Sequence, residues 1–377
     1  MKILFTGGGT GGHFYPIIAV AQAFREKCKE HKIIQPTMYY MAPNKYNERA
    51  LFDNELIFIK VSAGKIRRYF SILNFFDMFR TAAGCIFAIF KLYSLMPDVI
   101  FSKGGYGSFP ALFAAKLLRI PVVMHESDSR PGKVSAWAGK FAQNIAISYP
   151  GAARYFTKHP DRVAYTGNPI RQEILIPLAN GARDFLNLED ITPVVMVLGG
   201  SQGSQSINDV IIEALPELLN RYQIIHQTGK NNLEEILQTS KVILKDHAFA
   251  YRYHPFDYLN ELAMRMSAGV AEVIVSRAGS TIFEIAAWGV PSIIIPLPNS
   301  VSHDQTDNAF GYAQTGAASA IEENNLTSHV LIEEIDRICK SPKIKETMKI
   351  QAKAFARTDS AGVIANAILT IAMKHEK

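Results

Sequence analysis

The run Thr6-Gly7-Gly8-Gly9-Thr10-Gly11-Gly12-His13 sets an imidazole against five glycines. Imidazole is the side chain whose ordinary pKa suits proton acceptance near neutrality. The glycines lie between the apolar run Ile3-Leu4-Phe5 and a helical pattern that begins near Pro16. Such a turn tolerates positive φ and lets a ligand approach bare backbone, while the helix N-terminus aims unpaired N–H groups at the same space. The stretch therefore reads as a cradle for an anion or a sugar, or else as a purely structural tight turn.

The rest of the chain supplies comparable loops. Asp98-Val99-Ile100-Phe101 runs into Ser102-Lys103-Gly104-Gly105-Tyr106-Gly107-Ser108, and the strand Val122-Val123-Met124 ends in His125-Glu126-Ser127-Asp128. These place three polar loops on one edge of a parallel sheet, where open α/β sheets bind ligands. The second half repeats the plan: residues 194–198 lead into Gly199-Gly200-Ser201-Gln202-Gly203-Ser204, and residues 273–276 into Arg277-Ala278-Gly279-Ser280-Thr281. Hydroxyls and free N–H groups at Ser280 and Thr281 suit a pyrophosphate. Glu284, one turn on, reads either as an acceptor for ribose hydroxyls or as a solvated or capping glutamate. Ser302-His303-Asp304-Gln305 with Asn308-Ala309 forms a further polar loop entering a helix. Gly167-Asn168-Pro169 reads as a hinge, and Arg171 just beyond it is placed to neutralise a departing nucleotide.

Missing motifs narrow the chemistry. There is no Asp-x-Asp metal clamp, no Gly-x-x-x-x-Gly-Lys-Ser/Thr loop and no Gly-x-Ser-x-Gly elbow. A dinucleotide-dependent oxidoreductase needs an acid at the end of the second strand, here residues 37–41; Ala42, Pro43 and Asn44 follow instead, and the first acid is Glu48. No cofactor and no metal is called for. Cys28, Cys85 and Cys339 are too few and too scattered for a disulfide framework or a zinc site. The net charge of +6 favours anionic partners such as nucleotides, phosphates or an acidic lipid surface. Three apolar residues before the glycines are too short for a signal h-region, so a cytoplasmic setting is expected.

With 377 residues, two domains of roughly 150–190 residues each are expected. The class is α/β, with strands expected at residues 2–6, 37–41, 98–101, 122–124, 144–148, 163–165, 194–198, 223–227, 249–253, 273–276 and 292–296, each followed by helical patterns. Residues 66–93 are the most aromatic part of the chain but too short in apolar run to span a bilayer. Two readings stand. They form a core helix, or Tyr69, Phe70, Leu73, Phe75, Phe76 and Phe79, with Arg67, Arg68 and Arg80, rest in a membrane interface; a mixture would put 66–80 at the lipid and 81–93 in the core.

Thr6–His13, Gly104-Gly105-Tyr106, His125-Glu126, Gly167-Asn168-Pro169-Ile170-Arg171, residues 199–203, Ser276-Arg277-Ala278-Gly279 with Glu284, and Asp304-Gln305 with Asn308-Ala309, in this order, resemble the MurG family of glycosyltransferases. The resemblance implies a GT-B fold: two Rossmann-like, doubly wound parallel-sheet domains facing across a cleft. It implies an acceptor and membrane domain at 1–168, a donor domain at 169–350, and a 351–377 helix packing back on the first. The implied activity is inverting transfer of N-acetylglucosamine from UDP-GlcNAc to the MurNAc C4 hydroxyl of lipid I, undecaprenyl-pyrophosphoryl-MurNAc-pentapeptide. The family is metal-independent and sits peripherally on the cytoplasmic face of the membrane, here through residues 66–80, with no role for nucleic acid.

By position, the resemblance makes His13 the general base. It gives Thr10, Gly11, Gly12, Asp128, Arg171, Ser201, Asp257 with the Phe256 backbone, Ser280, Thr281, Glu284 and Gln305 to the UDP-GlcNAc donor. It gives Gly104, Gly105, Tyr106, His125 and Glu126 to the acceptor. Asp128 stands where the family commonly has asparagine, so a carboxylate replaces an amide there. The competing readings are a related transferase for another lipid acceptor and a non-catalytic nucleotide-sugar-binding module.

Overall fold

Buried runs of β-branched and aromatic residues build two sheets, both wholly parallel. The computed structural model describes residues 1–8, 10–64, 73–200, 203–298 and 303–375. The chain divides into two compact units, Met1–Arg171 with Arg357–Lys377, and Gln172–Ala356.

The first unit holds β1 (Lys2–Thr6), β2 (Thr37–Ala42), β3 (Leu56–Lys60), β4 (Val99–Ser102), β5 (Val122–Glu126), β6 (Asn144–Ile147) and β7 (Val163–Tyr165), in spatial order β3-β2-β1-β4-β5-β6-β7. In the centre, Ile3 pairs with Met38 on one side and Val99 on the other. Its central strands are almost entirely apolar because helices cover both faces. On one face the Gly11–Glu30 and Ser360–His375 helices enclose Phe5, Phe14, Ile17, Phe24, Ile364 and Ile368. On the other, the Leu73–Leu95 and Phe109–Leu118 helices enclose Leu4, Leu92, Ile100, Leu112 and Ala115.

The second unit holds β8 (Val194–Leu198), β9 (Gln223–Gln227), β10 (Tyr253–Phe256), β11 (Ala271–Arg277), β12 (Ser292–Ile295) and β13 (Ala318–Ala320), in order β10-β9-β8-β11-β12-β13. Its core joins Val195, Val197, Ile211, Leu215, Val275 and Ile335.

Three details differ from the sequence reading. The first helix starts at Gly11, not near Pro16, and Pro16 lies inside it. Glycine's poor helix propensity concealed the first turn. The strand expected at 249–253 lies at Tyr253–Phe256, because Ala250–Arg252 closes a 3-10 turn and only from Tyr253 onward does the chain pair with β9. The edge strands β3 and β13 had not been foreseen.

Candidate active site

In the first sheet, β2 and β3 lie to one side of β1 and β4 through β7 to the other, so the topological switch point falls between β1 and β4. Ligands of open α/β sheets bind outside the carboxyl ends of the strands at such a point. Two turns meet there: the glycine run after β1 and Lys103-Gly104-Gly105 after β4. Lys103 N–H donates to the Thr6 carbonyl at 2.9 Å, tying them together.

Glycine serves differently in each turn. Gly104 and Gly105 have φ of 74° and 80°, which L side chains rarely adopt. Gly7, Gly8 and Gly11 have no such angle; what they provide is room. A Cβ on Gly8 would stand 3.1 Å from His13 Nδ1, and one on Gly11 2.6 Å from the Tyr46 hydroxyl oxygen. The positive φ expected of the first turn is therefore replaced at these positions by close approach.

His13 sits in the first turn of its helix, one turn beyond the N-cap Thr10. Thr10 makes no side-chain cap to the backbone; its Oγ1 lies 2.8 Å from His13 Nδ1. With that hydroxyl accepting from Nδ1–H, the lone pair falls on Nε2. Nε2 makes no hydrogen bond to a described residue, and a Cβ on Gly105 would stand 3.2 Å from it. Burial, then the neighbouring Lys103 ammonium, lower the His13 pKa to about 3. The ring is thus neutral and unoccupied at the nitrogen that faces the second turn.

Lys103 was not singled out by the sequence reading. It is 2% exposed, and its Nζ has no hydrogen-bond partner among the described residues. Burial brings its pKa down to about 8, against the pull of Glu126 and Asp128. The signal was present, a lysine at the last step of a buried strand, but lysine ordinarily reads as surface. Asp128 has Lys103 as a countercharge, so the carboxylate at this position does not stand unopposed.

His125 Nε2 and the Glu126 carboxylate are taken up by the protein, while His125 Nδ1 is buried with no hydrogen-bond partner among the described residues. His125 is fully buried, with Nε2 2.9 Å from the Gly167 carbonyl and 3.1 Å from the Ser148 hydroxyl. Burial and Lys103 hold its pKa well below the usual range. Glu126 accepts from the backbone N–H of Asp128 at 3.0 Å and of Gly132 at 3.3 Å, which fixes the loop after β5. Burial and Asp128 raise it to about 7. Tyr106 opens the short 3-10 turn beyond Gly105. Arg171 belongs to the first unit and lies 4.2 Å above the Tyr15 ring, two residues along the helix from His13.

In the second sheet the switch point falls between β8 and β11. Gly200 and Gly203 there have φ of 83° and 78°, and a Cβ on Gly203 would lie 2.1 Å from the Thr228 carbonyl oxygen. Ser201 lies outside the described residues. Arg277, at the end of β11, donates to the Ser204 and Ser206 hydroxyls at 2.6 and 2.7 Å and ion-pairs with Glu323. It clamps the two loops together, a role sequence reasoning missed. Ser280 is the N-cap of the Thr281–Trp288 helix and makes no cap bond, and Glu284 lies half-buried in the first turn.

Gln305, near the start of the His303–Ala313 helix, accepts from Leu297 N–H at 3.1 Å. Asn308 donates to the Ala278 carbonyl at 3.3 Å. Asp257 accepts from its neighbour Tyr258 N–H, and the Phe256 carbonyl accepts from Thr228 N–H at 2.9 Å. The second rim is therefore a set of backbone and hydroxyl groups around one clamped arginine.

The Leu73–Leu95 helix divides by face and not along its length. Cys85, Ala88 and Leu92 are buried, whereas Phe75, Phe76, Phe79, Phe87, Phe90 and Tyr93 are exposed. Outward apolar residues thus continue past residue 80, beyond the boundary expected between lipid and core. Residues 66–72, with Arg67, Arg68, Tyr69 and Phe70, lie outside the described residues. Among the described residues, no helix is long and apolar enough to cross a membrane.

Two parallel doubly wound units, each with glycine turns at its switch point, one rim carrying an imidazole and the other hydroxyls at a helix end, define a sugar-nucleotide glycosyltransferase of the GT-B class. The glycosyltransferase family 28 N-terminal domain matches residues 3–147, and the glycosyltransferase family 28 C-terminal domain matches residues 194–363. The chain belongs to glycosyltransferase family 28 and, within it, to the MurG family.

It is 36% identical over 347 residues to the UDP-N-acetylglucosamine–N-acetylmuramyl-(pentapeptide) pyrophosphoryl-undecaprenol N-acetylglucosamine transferase of Treponema denticola, covering 88% of this chain and 86% of the relative. The Clostridium kluyveri transferase of the same name is 34% identical over 370 residues, covering 97% and 98%. The crystal structure of Acinetobacter baumannii MurG superposes with a TM-score of 0.72 at 23% identity, over 98% of this chain and 99% of that one.

Proposed function

We propose that this chain transfers N-acetylglucosamine from UDP-GlcNAc to the MurNAc C4 hydroxyl of N-acetylmuramyl-(pentapeptide) pyrophosphoryl-undecaprenol, the step that makes lipid II for peptidoglycan. What carries the reading to this site is His13: a neutral imidazole on the switch-point rim of the first unit, with Nδ1 beside a threonine hydroxyl and Nε2 directed at a glycine turn. The first unit takes the acceptor, with Gly104, Gly105 and Tyr106 about its diphosphate; the second takes the donor.

The acceptor hydroxyl attacks the anomeric carbon from the face opposite UDP, and the configuration inverts. The bond between the C4 oxygen and the anomeric carbon forms as the anomeric carbon–diphosphate oxygen bond breaks. Nε2 accepts the hydroxyl proton, and the Thr10 hydroxyl then faces an Nδ1–H that carries positive charge. UDP leaves with its electron pair, its charge met by the N-terminus of the Thr281–Trp288 helix and the Ser280 hydroxyl. Glu284 accepts from the ribose hydroxyls, Gln305 contacts the sugar, and Arg171 adds positive charge for a diphosphate.

An outward aromatic face supports the same reading. Exposed Phe75, Phe76, Phe79 and Phe90, with Arg80 and Lys91 on the same helix, suit an anionic bilayer interface at the cytoplasmic face. Purified protein given radiolabelled UDP-GlcNAc with lipid I in one tube and a glycolipid acceptor in another should label lipid I alone; preferential labelling of the glycolipid would replace this acceptor with another. Phe75→Glu combined with Phe76→Glu should weaken binding to anionic vesicles, read by flotation, by at least about a hundredfold while the thermal melting point holds, since roughly 60–100 Å² of aromatic surface per residue, about 3–5 kcal/mol in all, leaves the lipid. Undiminished flotation would remove this face from the membrane contact.

A further inference from the structure

Lys103 is a charge with no evident structural use. Its stem is packed at the end of β4, its Cβ lies 3.4 Å from where a Cβ on Gly7 would be, and the His13 Cβ lies 3.6 Å from that same point. The two side chains therefore leave the backbone on either side of one glycine, and the ammonium is near enough to act on the imidazole's charge. Nζ is buried without a hydrogen-bond partner among the described residues, although a buried cation is ordinarily paired. The charged and titratable groups that act on it come from three elements: His13 from the first helix, His125 and Glu126 from β5, and Asp128 from the following loop. Glu126 is committed to the backbone of its own loop. What remains is a cation held beside the base at a rim built from backbone N–H groups.

We propose that Lys103 couples the proton affinity of His13 to the arrival of a diphosphate at the first unit's rim, keeping the imidazole neutral until an anion compensates the ammonium. This rests on the reading of His13 as the base and names a positioning residue that acts through it. The electrostatics work in sequence. With the rim empty, like charge and burial both oppose an imidazolium. A bound diphosphate offsets the ammonium and adds its own negative charge, so the imidazole becomes a stronger base only when substrate is in place. A carboxylate partner such as Asp128 tempers the lysine without cancelling it. The diphosphate is that of a nucleotide or of a lipid-linked acceptor, two sources with one recognition chemistry.

The test uses the full chain with histidines labelled at Cε1, the His13 resonance being assigned by its loss in His13→Gln. In the free wild type, His13 should stay neutral over roughly pH 8 to 5, and saturation with a diphosphate should raise its midpoint by on the order of one pH unit. Inorganic pyrophosphate, UDP and a short-chain prenyl diphosphate are added separately, and whichever moves the midpoint names the source. Lys103→Met, which keeps the stem, should start with a raised midpoint and rise by clearly less than the wild type on saturation, only the diphosphate's own charge acting on the ring; Lys103→Arg should respond as the wild type does. A wild-type midpoint unmoved by all three compounds overturns the proposal without any variant, as does a Lys103→Met protein whose midpoint starts at the wild-type value or rises by as much as the wild type's. Failure of the underlying reading is seen separately: His13→Ala would retain turnover while the wild-type midpoint still follows the diphosphate.

Discussion

Each unit contains a histidine that burial depresses to about 3, His13 in the first and His226 in the second. Only one of them is in a position to do chemistry. His226, on β9, has Nδ1 2.9 Å from the Tyr253 hydroxyl and Nε2 3.1 Å from Asn208 Oδ1, so both ring nitrogens are spent on the core. His13 spends Nδ1 on Thr10 and directs Nε2 at a glycine turn. A depressed pKa alone therefore does not mark a site. What marks it is a neutral ring whose nitrogen without a partner among the described residues faces a glycine turn of the strand-end rim.

The same contrast extends to the rims. The first gathers His13, Lys103, Glu126 and Asp128, four titratable groups that feel one another's charge. The second presents hydroxyls, backbone and Arg277, which is already held by Ser204, Ser206 and Glu323. On the proposed reading, one rim moves a proton and the other holds a charge still.

The largest expected effect breaks that contrast at its first member. His13→Ala should lower kcat by roughly 10²–10⁴-fold, the range for a lost acid–base group, while leaving UDP affinity measured by calorimetry within about twofold. Turnover near the wild-type value would move the base to another residue and leave the two histidines functionally alike.

A smaller effect is expected on the holding rim. Glu284→Gln keeps the shape of the side chain and removes the charge that strengthens hydrogen bonds from a ribose. UDP affinity should fall about tenfold, near 1.4 kcal/mol, with kcat little changed at saturating donor. An unaltered dissociation constant would make Glu284 a helix-terminal glutamate with no part in nucleotide binding.

Most of the scaffold was legible because parallel strands buried on both faces leave continuous apolar runs, as at Val194–Leu198 and Val122–Glu126. The glycine turns were legible because nothing else puts so many glycines after a strand. What stayed hidden had physical reasons. Gly11 and Gly12 open a helix that propensity argues against, and at Gly11 room beside Tyr46 matters more than backbone freedom. Lys103 is a buried lysine and Arg277 a half-buried arginine; the charges that act on the one and the groups that hold the other lie far away in sequence, and no local pattern announces them. Glu126 and His125 looked like ligands from their place at a strand end, yet their hydrogen bonds go to the protein's own loops. The identity of a ligand is still less local, because it depends on groups drawn from several loops at once.

The smallest effect tests the locked histidine. His226 has its folded pKa, about 3, below the ordinary 6.5, and burial is the cause. Above pH 6.5 both folded and unfolded chains carry it neutral, and its contribution to stability is fully present. As pH falls below 6.5 the unfolded chain takes up a proton that the folded one refuses, so stability is lost progressively toward pH 3, at up to about 1.4 kcal/mol per pH unit for this group. His226→Leu should cost about 1–3 kcal/mol at pH 7.5, because the Tyr253 hydroxyl and Asn208 lose their partner. The same variant should lose one proton's worth of slope between pH 6.5 and 5, read from urea midpoints at each pH with the slope of the unfolding transition held constant. His13→Leu offers the matched control: it should flatten the same limb by a similar amount but cost less at pH 7.5, since only the Thr10 hydroxyl loses a partner. An equal cost at both positions would mean that His13 is as firmly bound into its unit as His226, and that the rim histidine is not kept free for a substrate.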